Sequence, residues 1–491
     1  MQKVRNFLAF DLGASNGRAI LGQFDGEKIT MTELHRFENN YVEMNGIFYW
    51  DIPYLYNQLK AGLLKFKQGG YGELDSFGID TWGVDYGLLD RNGHLIGLPR
   101  SYRLGTQEDI DAVKAQIPAD VLYRRSGIDT GLTFNTLYQL YRRKRENDAA
   151  LEAAETMLLT PDLLGYFLSG AKGTEYTIAT TTQLYNPTTG DWDWDTIEEL
   201  GLPEHIFTKI EPSGTVRGHL RSELCEELGL NPAAHVAVGS HDTASSVAAI
   251  PGQGSFAFCS SGTWSLFGVE LDKPDLSAEA AAAGLSNEGT IQGGFRPLRN
   301  IVGLWLIQEC RRDWIKQGVK LSWDEIVEQA IAAEPLRSII DTDAPEFYAG
   351  GNMEKKIRDF CRRTGQPVPE TVGQVARCIY ESLALKYRNA LEGLEKMKGQ
   401  SIESLNIVGG GIQNRLLNQM VADSLNREVV TGPGEGAAIG NLLTQALALG
   451  HIKDLQELRQ VVRRSEAVEV WQPNHTPEWE AAYEKLLTLL H

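Results

Sequence analysis

The segment "FLAFDLGASNGRAILGQF", Phe7 to Phe24, decides the fold. It joins an apolar run, an Asp at the end of that run, a small-residue turn and a second apolar run. A glycine turn after a strand commonly holds phosphate. Here, however, the glycine spacing is not G-x-G-x-x-G, and no Lys-Ser/Thr follows. The residues after Gly17 read as a strand, not a helix, which excludes the dinucleotide-binding and P-loop readings. A tight hairpin can still aim successive backbone N–H groups at an anion, and Ser15, Asn16 and Arg18 add side-chain donors. Asp11 would repel phosphate directly but could hold a Mg²⁺ that meets it. A plain hairpin with an Asp at its strand end fits the same residues.

The rest of the chain narrows the setting. Its 491 residues exceed a single core, so two or more domains are expected. Asp and Glu number 65 against 47 Lys and Arg, a net charge of −18. That balance argues against nucleic acid or an anionic membrane as partner. An anion such as ATP must then be met by local N–H groups, a few arginines and a metal. The N-terminal apolar run is broken at Asp11, and no other run reaches membrane length. The expected location is cytoplasmic. Five cysteines without metal spacing read as reduced thiols, although Cys361 and Cys378 could meet across a short loop.

Along the chain, 7–38 reads as three strands and "DIPYLYNQLKAGLLKFKQ" as a helix with Asp51 at its cap. "LDSFGID" and "VDYGLLD" are strands, with "RNGH" a hairpin turn. Residues 108–170 read as mostly helical. "HVAVGSHD" is a strand opening into the helix "TASSVAAI". The pattern then restarts at "SFAFCSSGTWSLFGVEL", 255–271. Aligning Gly262 with Gly13 sets Thr263 opposite Ala14 and Ser260 opposite Asp11. Strand–turn–strand followed by β–α units thus occurs twice, which favours a degenerate duplication over two unrelated hairpins. A closing helix, "PEWEAAYEKLLTLL", ends the chain.

Four further stretches carry residues fit for chemistry. In "VGSHDTAS", Asp242 follows a strand and opens a helix, so it is either an N-cap or a carboxylate at the ligand-binding edge of a sheet, placed to take a proton from a hydroxyl. His241-Asp242 could also belong to a metal-dependent phosphohydrolase, but nine scattered His leave little support for that. "IVGGGIQN" (407–414) and "GPGEGAAIGN" (432–441) place glycines before helices, as nucleotide pockets do. In "GIDTWGVDYGLL", Trp82 beside Gly83 could stack on a sugar ring or could be a buried ring at a bulge.

Taken in order, "FDLGASNGR", "GIDTWGVD", "SHDTASSV", "SSGTWSL", "NIVGLWLIQ" and "IVGGGIQN" resemble the FGGY carbohydrate kinases over about residues 6–475. The resemblance implies an α/β fold of two actin-like (ribonuclease-H-like) ATPase domains flanking a catalytic cleft. It implies a sugar-binding domain at 1–245, a nucleotide-binding domain at 246–455 and a closing helix at 456–491. It implies ATP and Mg²⁺, with phosphorylation of a ketose at its 1-hydroxyl: L-rhamnulose first, and L-fuculose or L-xylulose as alternatives. Carried over by position, Asp242 would be the base, and Gly83, His241, Asp242 and Thr243 would bind sugar, with Trp82 beside them. Ala14, Ser15, Asn16, Gly17 and Arg18 would hold the ATP phosphates. Thr263, Asn300, Gln308 and Gly410 would complete the nucleotide site, and Asp11 would support Mg²⁺. The chain departs from the family near Tyr102-Arg103, where an Asp and an Arg are usual and Leu104 and Thr106 stand instead. Chaperone ATPases and filament proteins share such lobes, but the chain has no spare domain for a peptide. A dead sugar sensor would not keep both Asp11 and Asp242. Monomer and dimer both remain open.

Overall fold

The computed structural model describes residues 3–490. The chain forms two compact units, neither continuous in sequence. The first takes the residues up to Ala249 together with Glu270–Pro297 and Glu435–Ser465; the second takes Ile250–Val269, Leu298–Gly434 and the residues from Glu466 on.

The sheet of the first unit is built on strand β1 (Arg5–Leu12). Antiparallel to it runs β2 (Asn16–Phe24), which in turn pairs antiparallel with β3 (Ile29–Glu38). On the other side β1 pairs parallel with β4 (Ser76–Thr81), and beyond it lie β5 (Thr215–His219) and β6 (Ala234–Ala237), giving the order β5-β6-β4-β1-β2-β3. A central strand is covered on both faces, so its alternate side chains enter different cores. Leu8, Phe10 and Leu12 pack with helix α1 (Ile52–Gln68) through Leu55, Leu59 and Leu63. Phe7 and Ala9 face the other way, with Ile439 and Leu442 of a helix far along the chain. Helix α1 starts where Asp51 Oδ1 accepts the Tyr54 N–H at 3.0 Å, with Pro53 in its first turn.

The second unit repeats the plan. Strands β7 (Phe256–Ser261) and β8 (Trp264–Gly268) form an antiparallel hairpin, and β8 pairs with β9 (Phe295–Val302), whose residues from Leu298 on belong to this unit. On its other side β7 pairs parallel with β10 (Ser404–Val408), then β11 (Glu428–Thr431), and an antiparallel edge strand β12 (Glu469–Trp471) closes the row. The sense of every pairing in the six-stranded sheet of the first unit recurs in the second. The duplication read from the two glycine hairpins therefore extends through the whole sheet, and the α/β fold with two actin-like units stands.

One expectation changes and two are refined. The boundaries at 245 and 455 follow the chain, whereas the compact units do not. Ile439 and Leu442 bury against β1, with Leu458 and Val462 in the same cluster, and this draws Glu435–Ser465 into the first unit. Within 108–170, Thr156–Leu159 is a strand paired with Tyr86–Leu89. A four-residue apolar run cannot be told from buried helix by periodicity alone. Cys361 and Cys378, two buried free thiols, do come together. Among the described residues no helix is long and apolar enough to cross a membrane.

Candidate active site

Strand register assembles the first part of the site. At the end of β1, Asp11 stands opposite Arg18 of β2 and opposite Asp80 of β4. Arg18 Nη2 donates to Asp11 Oδ2 at 2.6 Å, and its other terminal nitrogen pairs with Glu435. Asp80 is completely buried and accepts from Asn441 Nδ2 at 2.6 Å. Asn441 is held in turn by Gln445, whose oxygen takes the Ser76 hydroxyl at 2.7 Å. No donor among the described residues reaches Asp80 Oδ1. Burial first, and the neighbouring Asp11 charge second, push the Asp80 carboxyl well above the usual range.

Next to this row lies the end of the "VGSHDTAS" stretch. The Thr81 N–H donates to the Ser240 carbonyl at 2.9 Å, and the Ser240 N–H donates to the buried Glu175 carboxylate at 3.2 Å. The cap of helix α2 (Asp242–Ala248) is His241, not Asp242, which is the first helical residue. Asp242 is therefore free of a capping duty. Its side chain is 31% exposed, against 11% for His241, so of the two it is the more open to a ligand. Burial raises the Asp242 carboxyl, the His241 ring opposes this, and Asp11 adds to it. Thr243 is buried and donates from its hydroxyl to Asp242 Oδ1 at 3.2 Å.

Trp82 is 6% exposed, lies 4.3 Å from Trp50 between ring centres and gives its N–H to Asp85 at 3.0 Å. That placement favours the packing role over an open stacking platform. Asp85 also accepts from Trp50 Nε1 at 2.6 Å, and burial pushes its carboxyl up to about 6 against these donors. Val84 adopts φ 67°, a strained value for a β-branched residue. It is held there by Thr181 on its N–H at 3.1 Å and by Thr136 on its carbonyl at 2.7 Å. Gly83 precedes this turn, with Thr181 already 3.2 Å from where a Cβ would stand. At the departure near 104, Arg142 bonds the Leu104 carbonyl, reaches Thr106 Oγ1 at 3.2 Å and pairs with Asp109 at 2.7 Å. The charged groups around this loop, Asp109 and Arg142, are spent on each other.

In the glycine turn of the first unit Ser15 and Asn16 are exposed and Ala14 partly so. Gly17 is required by packing, because a Cβ there would lie 2.3 Å from the Phe37 ring. Arg18 is committed to two carboxylates, Asp11 and Glu435. In the second unit Thr263 is exposed, with its hydroxyl 3.1 Å from Gln308 Oε1. Asn300 is partly buried and pairs with Leu266 in the sheet. Of the three glycines 409–411, Gly409 and Gly411 make room for Ser261, with Cβ positions 2.9 Å and 2.0 Å from its atoms. Only Gly410 faces open space.

Sequence reasoning missed four polar residues here: Asp80, Asn441, and the paired Glu288 and Arg296, which reach the His241 ring. Asp80 lay inside a quoted motif, and its register with Asp11 was the available signal. Asn441 ends the quoted stretch "GPGEGAAIGN", where nothing marks it out, and Glu288 and Arg296 carry no local signature.

The N- and C-terminal domain models of the FGGY family of carbohydrate kinases match residues 6–249 and 257–449. A protein named Rhamnulokinase from Bacteroides thetaiotaomicron is 42% identical over 98% of this chain and 98% of its own. Another of that name from Bacillus subtilis is 39% identical over 95% of each. Among solved structures, a ligand-bound xylulose kinase from Lactobacillus acidophilus superposes with a TM-score of 0.82, covering 99% of this chain and 96% of that one at 17% identity. A glycerol kinase from Plasmodium falciparum with ADP gives 0.76 at 16% identity, over 100% and 99% of the two chains. Two matching domain models, relatives alike along nearly the full length and a shared two-unit architecture lead to one conclusion: the chain belongs to the FGGY family of carbohydrate kinases.

Proposed function

We propose that this kinase transfers the terminal phosphate of ATP to the 1-hydroxyl of L-rhamnulose, giving L-rhamnulose 1-phosphate. The observation that carries the reading is the 42% identity to a Rhamnulokinase along 98% of both chains. ATP and a ketose are then the ligands, and a cytoplasmic setting fits the five free thiols.

Phosphoryl transfer asks a protein mainly for positioning and charge neutralisation. Asp242 is the proposed base. It accepts the proton of the attacking hydroxyl as the new P–O bond forms, while His241, Thr243 and the Gly83 backbone orient the sugar. Ala14, Ser15, Asn16 and Gly17 offer N–H groups to phosphate oxygens. Arg18 balances the acidic row, and Thr263, Asn300, Gln308 and Gly410 take the nucleotide. The fit of a Mg²⁺ rests on the Asp11–Asp80 pair: two carboxyl groups side by side at the strand ends, with Arg18 on the first and one oxygen of the second lacking a donor, offer oxygen ligands to a cation. No cluster of three or more acidic, His or Cys ligands occurs among the described residues. Asp11 and Asp80 would therefore hold the ion together with phosphates and water, as is usual for Mg²⁺. Bound there, it would neutralise phosphate charge.

Leu104 and Thr106 favour one second reading, a related ketose such as L-fuculose or L-xylulose. Coupled ADP release should be highest with L-rhamnulose in a panel with L-fuculose, L-ribulose and L-xylulose. A preference for another ketose overturns the substrate, and release independent of any sugar overturns the reaction. A second expected result follows from the raised Asp242 carboxyl. A base must be ionised, so kcat/KM should fall as pH drops through that raised value. The acid limb should therefore lie above the ordinary aspartate value of about 4, and a limb at or below it removes Asp242 from the role.

A further inference from the structure

The segment Glu270–Pro297 leaves the strands of the second unit and joins the first. It brings two residues to His241. Glu288 Oε2 lies 2.9 Å from His241 Nδ1, and Arg296 Nη2 lies 2.7 Å from the same nitrogen. Arg296 and Glu288 are paired at 2.5 Å, and Arg296 is completely buried, with its Nε donating to the Gly289 carbonyl at 2.8 Å. On the far side of the ring, His241 Nε2 stands 3.6 Å from Asp242 Oδ1. That distance is too long for a direct hydrogen bond.

The ring's proton positions follow from its neighbours. If Nδ1 accepts from Arg296, the hydrogen of the neutral ring sits on Nε2. If Nδ1 donates to Glu288 in the imidazolium, Nε2 again carries a hydrogen. The remaining tautomer would turn a bare Nε2 toward the Asp242 carboxylate, acceptor against acceptor. Both favourable states thus leave an N–H on the side of the proposed base. A ketose hydroxyl meeting Nε2–H and Asp242 could accept from the first and donate to the second.

We propose that Glu288, paired with Arg296, is a positioning residue for ketose recognition: Glu288 accepts Nδ1–H of the imidazolium and holds the Arg296 group that donates to Nδ1 of the neutral ring, so that in either state Nε2–H is presented beside Asp242. The inference rests on the ketose-kinase reading above. A buried salt bridge by itself is weak evidence of a role, but this one spends its oxygen on a ring that borders the base. Burial would raise the Glu288 carboxyl, yet the Arg296 and His241 charges outweigh it and bring it down to about 2.

A double-mutant cycle tests whether Glu288 works through His241. Glu288→Gln, which keeps the volume, should lower kcat/KM for L-rhamnulose by about tenfold to a hundredfold, with KM for ATP unchanged. In a His241→Ala background the same change should cost less than about twofold. Glu288→Met with Arg296→Met removes both charges together, so no lone buried charge threatens the fold. It should give the same coupling to His241→Ala. An equal loss in both backgrounds, or a loss that falls equally on ATP, overturns the positioning role while the ketose kinase stands. Absence of turnover with every ketose in the unsubstituted enzyme overturns the function and this inference with it.

Discussion

Asp242→Asn is expected to leave a folded, ketose-binding enzyme whose kcat is lower by about 10²–10⁴-fold, the usual contribution of a positioned base. Asn keeps the size of Asp and an oxygen for the Thr243 hydroxyl, which donates to the native carboxylate at 3.2 Å. It loses only the capacity to take a proton. Stability should not suffer, because the Asp11 charge works against an ionised carboxylate at this position and burial opposes it further. Helix α2 keeps its start, since its cap is His241. Steady-state kinetics should therefore show kcat falling with little change in KM for ketose, and the acid limb of the pH profile should disappear from the residual rate. Activity within about fivefold of the unsubstituted enzyme, well short of that range, would remove the base assignment.

Gly440→Ala is expected to reverse the sign that helix propensity gives. Gly440 lies inside α3 (Gly436–Ala448), where Ala is favoured over Gly by about 1 kcal/mol. In the fold, a Cβ at Gly440 would stand 1.8 Å from the Ser245 carbonyl oxygen and 2.6 Å from its carbon. Both are backbone atoms of α2 and cannot swing away. The two helices must separate, at a cost of about 3 kcal/mol or more. Separation would also shift Asp242, three residues before Ser245, and displacements of about 1 Å can cost about a hundredfold in rate. Gly393→Ala is the control: that glycine is exposed in the helix Val372–Lys398, with nothing within 4 Å of a Cβ. It should stabilise by up to about 1 kcal/mol. Urea unfolding of both variants measures the contrast. A Gly440→Ala protein as stable as the unsubstituted one would show that α2 and α3 do not cross so closely.

The same contrast runs through the fold. The hairpin at Phe7–Phe24, its echo at 255–271 and the strand ending before Asp242 are local patterns, readable from apolar runs and turn residues. The repeat of β-pairings follows from them, since a strand–turn–strand unit with parallel neighbours has few ways to close. Trp82 shows where such reading stops: an aromatic beside a glycine looks the same in sequence whether its face is open or, as here, packed on Trp50. Glu288 shows it further, because nothing in "SNEGTIQGGF" points to a histidine 47 positions earlier.

What the amino-acid sequence determined by itself is therefore the plan: two similar α/β units, a glycine turn in each, an acidic residue at the first turn and Asp242 at a sheet edge. These rest on periodicity and turn chemistry, which act over a few residues. What only the tertiary structure decided is the company each group keeps: Asp80 beside Asp11, Asn441 behind Asp80, Glu288 and Arg296 on His241, and Gly440 against Ser245. Those contacts come from strand register and from segments that return to the first unit after long excursions. A carboxylate's charge and a glycine's worth are set by neighbours that the chain order does not name.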